Sequence, residues 1–429
     1  MRIQNIAGAT AVLEHNGVRI LFDPWMDEGI FHGAWYHYPP SKVSLEDLGR
    51  IDFIYISHIH EDHCSPGTLS KLNNDAEIII LDRKPNLVAK FLDNHKFKFK
   101  KIHLVQARKP KEILSNLSID MIEGDPANPM AHAIDSTLIL KWDDYIIVNA
   151  NDCLPYKDGM DYILGHYQKI DIALIPYAGG SGYPSCYLNL TDEEKELERN
   201  RIIENKLEAF LYNANYLKPN YVMPFADQYV VSGSRSHLDQ FIAHPHSPGV
   251  VEEYVRDKVF LSKLLLLNSG QAFDFERGQK LPPDSFCHTT REDRRVYLQK
   301  IISQKYDHEH FNLNPSVALH RLVSYARERL WKVQNEKGFK LEFQFYLDAV
   351  DLERRFKIDL ASDLVEEVSI HCKCVEPYLR ISVTGTLLML LLIGHISWNI
   401  ADAALFIDYE RRPNVYDARI YEFLNYLKA

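Results

Sequence analysis

The chain has 429 residues, which is long for one domain and comfortable for two. Its 49 basic and 59 acidic residues give a net charge of -10 at pH 7, and this balance argues against nucleic-acid binding because it implies no basic surface for phosphates. The six cysteines form no C-x-x-C pair, which favours a reducing, cytoplasmic compartment over a disulfide framework. The most apolar run, residues 387–394, is too short to span a membrane and is predicted to form a buried helix.

The first half of the chain alternates segments typical of strands and of helices. Residues 10–25 predict a hairpin, because Asn16-Gly17 is a turn signal between two apolar runs. A strand over residues 51–57 is followed by a helix that begins with Ser65 as its N-cap and Pro66 in its first turn. Further strands are predicted to begin at residues 76, 136, 144, 171 and 220, and a long helix opens at a capping box of Thr191 and Glu194. We therefore place the first half in the α/β class.

The pattern changes near residue 243. The segment AHPHSPG, residues 243–249, is interpreted as a linker, so the predicted domains are residues 1–245 and 246–429. The second domain contains helices, then strands, then closing helices, which predicts an α+β domain. Its strands followed by LLLIGHISW, residues 390–398, resemble sterol-carrier-like modules, which enclose an apolar cavity. We expect this domain to cap the substrate site or to join copies of the chain, and the oligomeric state is left open.

One short stretch concentrates metal-binding groups. The pattern His58-x-His60-x-Asp62-His63 follows the predicted strand at residues 51–57, where the chain turns into the next helix. Residues two apart on an extended segment point the same way, so His58 and His60 can reach one metal, while Asp62 and His63 can face a second. Imidazole nitrogen and carboxylate oxygen suit zinc, iron and manganese. The pattern therefore predicts a metal site without naming the metal.

This pattern resembles the metallo-β-lactamase superfamily, whose fold is an αββα sandwich with metals at one edge. The resemblance implies that residues 1–245 form a metal-binding catalytic domain. It implies that Asp23, in LFDPW, orients a ligand and that His132, in PMAHAIDSTLIL, completes the first metal site. It implies that Asp152, in VNANDC, bridges two metals. Ordinary turn or loop roles are the alternatives for these three residues.

The last ligand of the superfamily pattern is altered. A histidine is expected after MPF, but this sequence has Ala226 and Asp227 there. Either Asp227 supplies an oxygen ligand or the second metal position is incomplete, with His237, His244 and His246 as nearby alternatives. A mononuclear and a dinuclear centre therefore both stay open.

Several segments resemble the CMP-N-acetylneuraminate hydroxylase family more closely. They are HAIDSTLIL (132–140), VNANDC (148–153), DIALIPYAGGSGYPSCY (171–187), MPFADQYVV (223–231) and RRPNVYDARIYEFLNYL (411–427). The resemblance implies iron, oxygen and electrons from a Rieske iron–sulfur domain, used to hydroxylate a nucleotide-activated sialic acid. The Cys-x-His and Cys-x-x-His ligands of a Rieske cluster do not occur in this sequence. An external reductase or ferredoxin is therefore the expected electron source, unless the substrate itself supplies four electrons.

A glycine-rich loop, YAGGSGYP at residues 177–184, follows a predicted strand. Glycine lets backbone N–H groups approach a ligand closely, and a phosphate or carboxylate is a natural guest. We therefore predict that Gly179, Gly180, Ser181 and Tyr183 contact the substrate. The alternative is a tight turn that needs glycine for its geometry alone.

Two activities fit these residues. The first is an iron-dependent oxygenase with one or two irons, acting on a polar, nucleotide-sugar-like small molecule. The second is a zinc- or manganese-dependent hydrolase of an ester, amide or phosphodiester. Asp62 and Asp152 are the predicted catalytic carboxylates in either case. A binding protein with a degenerate site is a third reading, and full activity without His58 and His60 would favour it.

Overall fold

A computed structural model of the protein describes residues 1–73, 75–226, 229–338, 343–360 and 364–429. In these ranges the strands are β1 (Arg2–Ala7), β2 (Thr10–His15), β3 (Val18–Phe22), β4 (Trp35–His37), β5 (Phe53–Tyr55), β6 (Glu77–Leu81), β7 (Lys101–Val105), β8 (Lys111–Leu114), β9 (Leu117–Glu123), β10 (Ser136–Trp142), β11 (Tyr145–Asn149), β12 (Ile172–Pro176), β13 (Tyr221–Phe225), β14 (Tyr229–Val231), β15 (Lys263–Leu264), β16 (Ala272–Asp274), β17 (Gln279–Leu281), β18 (Gln344–Ala349), β19 (Arg354–Ile358), β20 (Val365–Ser369), β21 (Tyr378–Val383) and β22 (Asp408–Arg412).

The helices in the same ranges are α1 (Ile30–Gly33), α2 (Pro66–Leu69), α3 (Leu87–Asn94), α4 (Pro129–Ile134), α5 (Lys157–His166), α6 (Asp192–Leu217), α7 (Gly249–Val255), α8 (Arg291–Ile301), α9 (Leu319–Lys337), α10 (Gly385–Leu392), α11 (Trp398–Ala403) and α12 (Ala418–Leu424). Short 3₁₀ segments lie at Glu46–Leu48, Gly233–Phe241, Asp307–His310, Pro315–Val317 and Val350–Leu352. The predicted capping box of Thr191 and Glu194 opens α6, with both reciprocal hydrogen bonds present.

Two large sheets form the first part of the protein. The first has the strand order β17-β16-β1-β2-β3-β5-β6-β7, and the second has the order β15-β13-β12-β11-β10-β9-β8. The predicted hairpin is confirmed, because β2 and β3 pair antiparallel around Asn16 and Gly17, which both have positive φ. From β3 to β7 the first sheet is parallel, so the carboxyl ends of these strands meet at one edge.

The two sheets pack face to face over a shared apolar core. Residues of both sheets, including Leu13, Phe22, Leu140 and Leu174, are fully buried in it. Helices α2 and α3 cover the outer face of the first sheet, and α5, α6 and α7 cover the outer face of the second. Apolar surface is therefore removed from water on both faces of each sheet. The predicted αββα sandwich is confirmed.

The C-terminal part is built on a five-stranded sheet of order β20-β19-β18-β21-β22. Helices α9 and α10 pack against it, and the predicted buried helix is confirmed because the leucines of α10 are at most 2% exposed. The same apolar cluster continues into Trp25, Phe31 and Trp35 of the sandwich. The C-terminal sheet therefore lies directly against the part of the sandwich that carries these aromatic residues.

The segment interpreted as a linker is packed into the protein instead. Ala243, His244 and Ser247 are 5%, 3% and 3% exposed, so the linker prediction for residues 243–249 is wrong. Strands β15, β16 and β17 follow this segment and pair within the two large sheets. The boundary at residue 245 stays a prediction. Among the described residues, no helix has the length and apolar character required to cross a membrane.

Candidate metal centre

The histidine-rich stretch begins just after the carboxyl end of β5. Strands β3 and β5 are parallel neighbours that pair Phe22 with Tyr55, so the residues after both strands meet at one edge. Asp23 follows β3, and its backbone N–H donates to the carbonyl of Tyr55 at 2.9 Å. Beyond the turn, Ser65 accepts a backbone hydrogen bond at the start of α2 and Pro66 occupies its first turn, as predicted.

Asp23 is fully buried and holds this turn together. Its Oδ1 accepts a hydrogen bond from the backbone N–H of Ser57 at 2.7 Å, and its Oδ2 accepts one from the Ser57 hydroxyl at 2.9 Å. The same Oδ2 lies 3.0 Å from Nδ1 of His63. Burial raises the pKa of Asp23, and His63 and Ser57 offset part of that rise. Asp23 thereby directs Nε2 of His63 away from itself, as a ligand-orienting residue would.

Five of the predicted ligands come together at this edge. Donor atoms of His58, His63 and Asp152 all lie within 4.8 Å of one another. Asp152 arrives from the second sheet, after β11, and its Oδ2 lies 3.8 Å from His58 Nε2 and 3.5 Å from His63 Nε2. Asp62 Oδ2 is 3.3 Å from the same His63 nitrogen, and His60 Nδ1 is 2.8 Å from His58 Nε2. Two histidine nitrogens and a carboxylate therefore converge on one point.

The electrostatics of this cluster suit a cation. Burial holds the pKa of His58 well below its usual range, although Asp152 opposes that effect. Burial would also lower the pKa of His63, but Asp152, Asp62 and Asp23 outweigh it and raise that pKa well above its usual range. Burial would raise the pKa of Asp152, yet His58 and His63 hold it well below its usual range. The ionised carboxylates around His63 favour a positive charge, which a metal ion supplies as well as a proton.

His132 lies apart from this cluster. It is on α4, where its side chain is exposed and Nδ1 lies 2.9 Å from the carbonyl oxygen of Gly124. The backbone carbonyl of His132 also accepts a hydrogen bond from Arg83 at 3.2 Å. The structure therefore does not bring His132 to His58, His63 and Asp152, and its role as a third histidine ligand stays a prediction.

Two groups beside the cluster were missed by sequence reasoning. Burial, together with the charge of Asp152, raises the pKa of Asp135 to about 7. Cys153 places its Sγ 3.2 Å from Asp152 Oδ1 and 3.9 Å from His58 Nδ1. Both residues stand inside the segments HAIDSTLIL and VNANDC, next to residues that were singled out. Asp135 directly precedes β10, and Cys153 directly follows Asp152 after β11. Their positions at these strand ends could have indicated that they lie beside the predicted ligands.

The alternatives for the last ligand do not join the cluster in the described part of the chain. Asp227 lies outside the described residues. His237, His244 and His246 line a separate cavity of about 450 Å³ beside α6 and α8. His244 is buried there, with Nδ1 3.0 Å from the carbonyl oxygen of Pro245. The predictions for these four residues as metal ligands stay predictions.

A small cavity of about 140 Å³ opens onto the candidate metal centre. Its walls include His60, Asp62 and Asp152 on one side and Gly179 and Gly180 on another. A Cβ atom at Gly180 would lie 3.1 Å from the ring of Trp35 and 3.1 Å from the hydroxyl of Tyr229, whose rings stack at 3.4 Å. A side chain at position 180 would therefore crowd this aromatic wall, and glycine lets the loop lie close to it.

A larger cavity of about 710 Å³ adjoins the small one. Gly179, Gly180 and Asp402 line both cavities, and Ser181 and Tyr183 line only the larger one. All four residues predicted to contact substrate therefore line at least one of these two neighbouring cavities. Their contact with a substrate stays a prediction.

Comparison with known proteins agrees with this geometry. A model of the beta-lactamase superfamily domain matches residues 2–226. The cytidine monophosphate-N-acetylneuraminic acid hydroxylase of Cricetulus griseus is 27% identical over 307 residues, covering 66% of this chain and 50% of that protein. A putative Rieske 2Fe-2S iron-sulfur protein of Mycolicibacterium smegmatis is 28% identical over 194 residues, covering 44% of this chain and 36% of that protein. The matched part of the chain thus spans about half the length of the first relative and 36% of the length of the second.

Among solved structures, the diiron beta-hydroxylase CmlA from Streptomyces venezuelae matches with a TM-score of 0.43 and 14% identity, covering 62% of this chain and 53% of that chain. The isothiocyanate hydrolase from Delia radicum gut bacteria matches with a TM-score of 0.45 and 17% identity, covering 64% of this chain and 98% of that chain.

Proposed function

Because the chain belongs to the beta-lactamase superfamily, whose fold implies a metal-dependent enzyme, we propose that it is an iron-dependent oxygenase. The proposed reaction is hydroxylation of a polar, nucleotide-sugar-like small molecule. The observation that carries the proposal is the convergence of His58, His63 and Asp152 beside a cavity, in a chain 27% identical to a hydroxylase. The substrate class comes from that relative alone.

The residues at the site fit one or two iron ions. His58, His60, Asp62, His63 and Asp152 would hold the metal, since imidazole and carboxylate are ligands that iron accepts. When bound, iron would supply the reduction of dioxygen needed to place an oxygen atom into a C–H bond. Overall, the C–H bond, dioxygen, two electrons and two protons give C–OH and water. The proposal includes an external reductase or ferredoxin as the source of both electrons.

The chain's own residues would orient the ligands and exclude water. Asp23 fixes the His63 ring through Nδ1, which leaves Nε2 for the metal. Trp35 and Tyr229, stacked at 3.4 Å, form an apolar wall of the small cavity. Such a wall limits water around a reactive centre and strengthens electrostatic interactions within it.

The first experiment measures metal content after anaerobic purification, followed by oxygen uptake. We expect about one or two irons per chain and oxygen uptake that needs both substrate and reductant. Mass spectrometry with ¹⁸O₂ should then show one ¹⁸O atom in the product. Turnover of a zinc-loaded preparation without oxygen or reductant would contradict the oxygenase.

Variants assign the ligands in the same assay. His58→Ala should lose both iron and oxygen uptake, whereas His166→Ala, which alters an exposed histidine at the end of α5, should retain both. His132→Ala decides whether the third histidine implied by the resemblance joins the ligand set. Retention of iron by His58→Ala would contradict the proposed centre.

A metal-dependent hydrolase is the second candidate, because the same histidine and carboxylate set suits zinc and manganese. Either ion would acidify a water molecule for attack on an ester, amide or phosphodiester. Asp62, whose Oδ2 lies 3.3 Å from His63 Nε2, would then act as a ligand or general base. A panel of esters, amides and phosphodiesters tested with the zinc and manganese forms separates this candidate from the oxygenase.

A further inference from the structure

The larger cavity is bounded by both parts of the protein. The loop at residues 179–183 and one face of α6 form one side, and residues 402–421 of the C-terminal part form the other. Two backbone hydrogen bonds join these sides. Tyr409 N–H donates to the carbonyl of Cys186 at 2.8 Å, and Leu188 N–H donates to the carbonyl of Tyr409 at 2.7 Å. The cavity is therefore incomplete without the C-terminal part.

Arg411 is the buried cation of this cavity. It is 3% exposed, and its guanidinium donates to the Tyr421 hydroxyl at 2.8 Å and to Asn414 Oδ1 at 2.9 Å. The Nε–H has no hydrogen-bond partner among the described residues. The guanidinium also lies 5.6 Å and 5.1 Å from the ring centres of Tyr183 and Tyr187. Within the described ranges, these hydrogen-bond and ring partners are neutral, and no ion pair includes Arg411.

This arrangement differs from that of two other buried arginines, Arg294 and Arg355. Arg294 pairs with Asp239 at 2.6 Å, and Arg355 pairs with Asp348 at 2.6 Å. Burying a charge without a counter-charge costs free energy, so a buried arginine is normally paired with a carboxylate or a bound anion. Arg411 has no such carboxylate in the described structure, which leaves a place for an anion from outside.

The other charged groups around the cavity leave that place open. Arg201 is paired with Glu198, which also accepts the Tyr183 hydroxyl at 2.8 Å. The exposed side chain of Lys206 lies against Gly179, where a Cβ atom would be 3.3 Å from its Nζ. Asp402 also lines the cavity, where its Oδ2 accepts a hydrogen bond from the backbone N–H of Gly182 at 3.5 Å, and no ion pair joins it to Arg411 among the described residues. Arg411 and Lys206 therefore remain to receive an anion.

We infer that this cavity binds an oxyanion, a phosphate or carboxylate of the substrate, on the guanidinium of Arg411. The inference rests on the proposed function for the link between anion and substrate, because the cavity shares Gly179, Gly180 and Asp402 with the one at the metal centre. Tyr416, which is 70% exposed, also lines the cavity and offers a flat ring beside the anion. The C-terminal part thus completes the substrate site and selects charged substrates.

Calorimetry on the full-length chain tests the inference without relying on turnover. Phenyl phosphate, benzoate and inorganic phosphate are the anionic probes, and phenyl glucoside is the neutral one. We expect the aryl anions to bind and the neutral probe not to bind. Arg411→Gln should weaken the binding of both aryl anions about 10- to 100-fold, since it removes charge-assisted hydrogen bonds. The relative affinity of phenyl phosphate and benzoate identifies the preferred anion.

Matched variants keep the result interpretable. Arg412→Gln removes the neighbouring arginine, whose side chain is 52% exposed and which does not line the cavity, and should leave binding unchanged. Arg411→Lys keeps the charge and should fall between the parent and Arg411→Gln. Tyr416→Ala removes an exposed ring and should weaken phenyl phosphate about two- to tenfold while sparing inorganic phosphate. If Arg411→Gln does not fold, Arg411→Lys and Tyr416→Ala still test whether the anion binds in this cavity.

Unchanged binding in Arg411→Gln or, where that variant is unfolded, in both Arg411→Lys and Tyr416→Ala would overturn the inference. Loss of binding only in Arg291→Gln would also overturn it, because Arg291 lines the separate cavity beside α8. Failure of the oxygenase proposal would look different. In that case the anion would still bind through Arg411, but the iron and oxygen-uptake measurements would fail.

Discussion

Two buried clusters of ionisable side chains differ in how their hydrogen bonds are completed. In the arginine cluster, formed by Asp239, His244 and Arg294, Arg294 donates to Asp239 Oδ2 at 2.6 Å and Oδ1 at 2.8 Å. It also donates to the Tyr229 carbonyl at 2.7 Å and lies 3.2 Å from His244 Nε2. The cation that balances Asp239 is thus a side chain of the protein itself.

The candidate metal centre brings histidine nitrogens and carboxylates together without an arginine or lysine among the described residues. His58 Nε2, His63 Nε2 and Asp152 Oδ2 face one another, and no arginine or lysine joins them in the ion pairs of the described ranges. A metal ion there would occupy the position that Arg294 holds in the arginine cluster. The comparison teaches that a saturated buried cluster, in which an arginine of the protein balances the carboxylate, fastens the fold. An unsaturated cluster, in which histidine nitrogens and carboxylates converge without an arginine or lysine, prepares a site for a metal ion.

The largest expected effect is on metal binding at the unsaturated cluster. His58→Ala should lower metal affinity by more than about 1,000-fold, because each ligand carries a substantial share of the binding free energy. Metal content per chain after dialysis against a weak chelator measures this loss. His166→Ala, at the exposed end of α5, is the control, and equal metal content in both variants would remove the contrast between the two clusters.

The next effect is on stability at the arginine cluster. Asp239→Ala leaves Arg294 buried without its carboxylate, which should lower the free energy of unfolding by about 3–5 kcal/mol. Urea denaturation measures the change, and the folded fraction should keep its metal content. Glu292→Ala, which removes the exposed partner of Arg295, is the control and should have no measurable effect. A stable Asp239→Ala protein would show that the cluster does not fasten the fold.

The sequence revealed features of the fold whose causes are local. Asn16-Gly17 identifies the hairpin, and Thr191 with Glu194 identifies the start of α6, because neighbouring residues determine these structures. Strands β15 to β17 were missed, since each has at most three residues and shows no periodicity. Strand β16 pairs with β1 from the opposite end of the chain, so its place depends on tertiary packing.

In the candidate site, as in the fold, the residues close together in sequence were predictable, and those brought together by tertiary packing were not. The spacing of His58, His60, Asp62 and His63 is local and pointed directly to the cluster that the structure shows. Asp152 required the resemblance, because it comes from the other sheet. The lack of an ion pair for Arg411 within the described residues could not be predicted, since it depends on which side chains the C-terminal part brings to the cavity.

An intermediate effect is expected at Asp23, which lies behind the unsaturated cluster. Asp23→Asn should lower metal affinity about 10- to 100-fold, because it weakens the contact that orients His63 and no longer supplies a negative charge. Metal titration with a competing chromophoric chelator measures the affinity. Ser57→Ala, which removes one hydroxyl contact to Asp23 but keeps the carboxylate, should have a smaller effect. An unchanged affinity in Asp23→Asn would rule out an orienting role.

The smallest effect is a pH dependence that arises from the arginine cluster. Burial, helped by the charge of Arg294, lowers the pKa of His244 to about 3. Between about pH 6.5 and pH 3 the unfolded chain therefore binds a proton at this histidine that the folded chain does not, and stability falls as the pH falls. From about pH 7 to about pH 5.5 this residue should account for about 1 kcal/mol of lost stability.

The measurement compares unfolding free energies at these two pH values in the parent and in His244→Gln. The variant side chain does not titrate, so the difference between the two pH values should shrink by about 1 kcal/mol. His237→Gln changes an exposed histidine of the same cavity and should keep the parental difference. If His244→Gln also keeps the parental difference in unfolding free energy, His244 does not contribute to the loss of stability in acid.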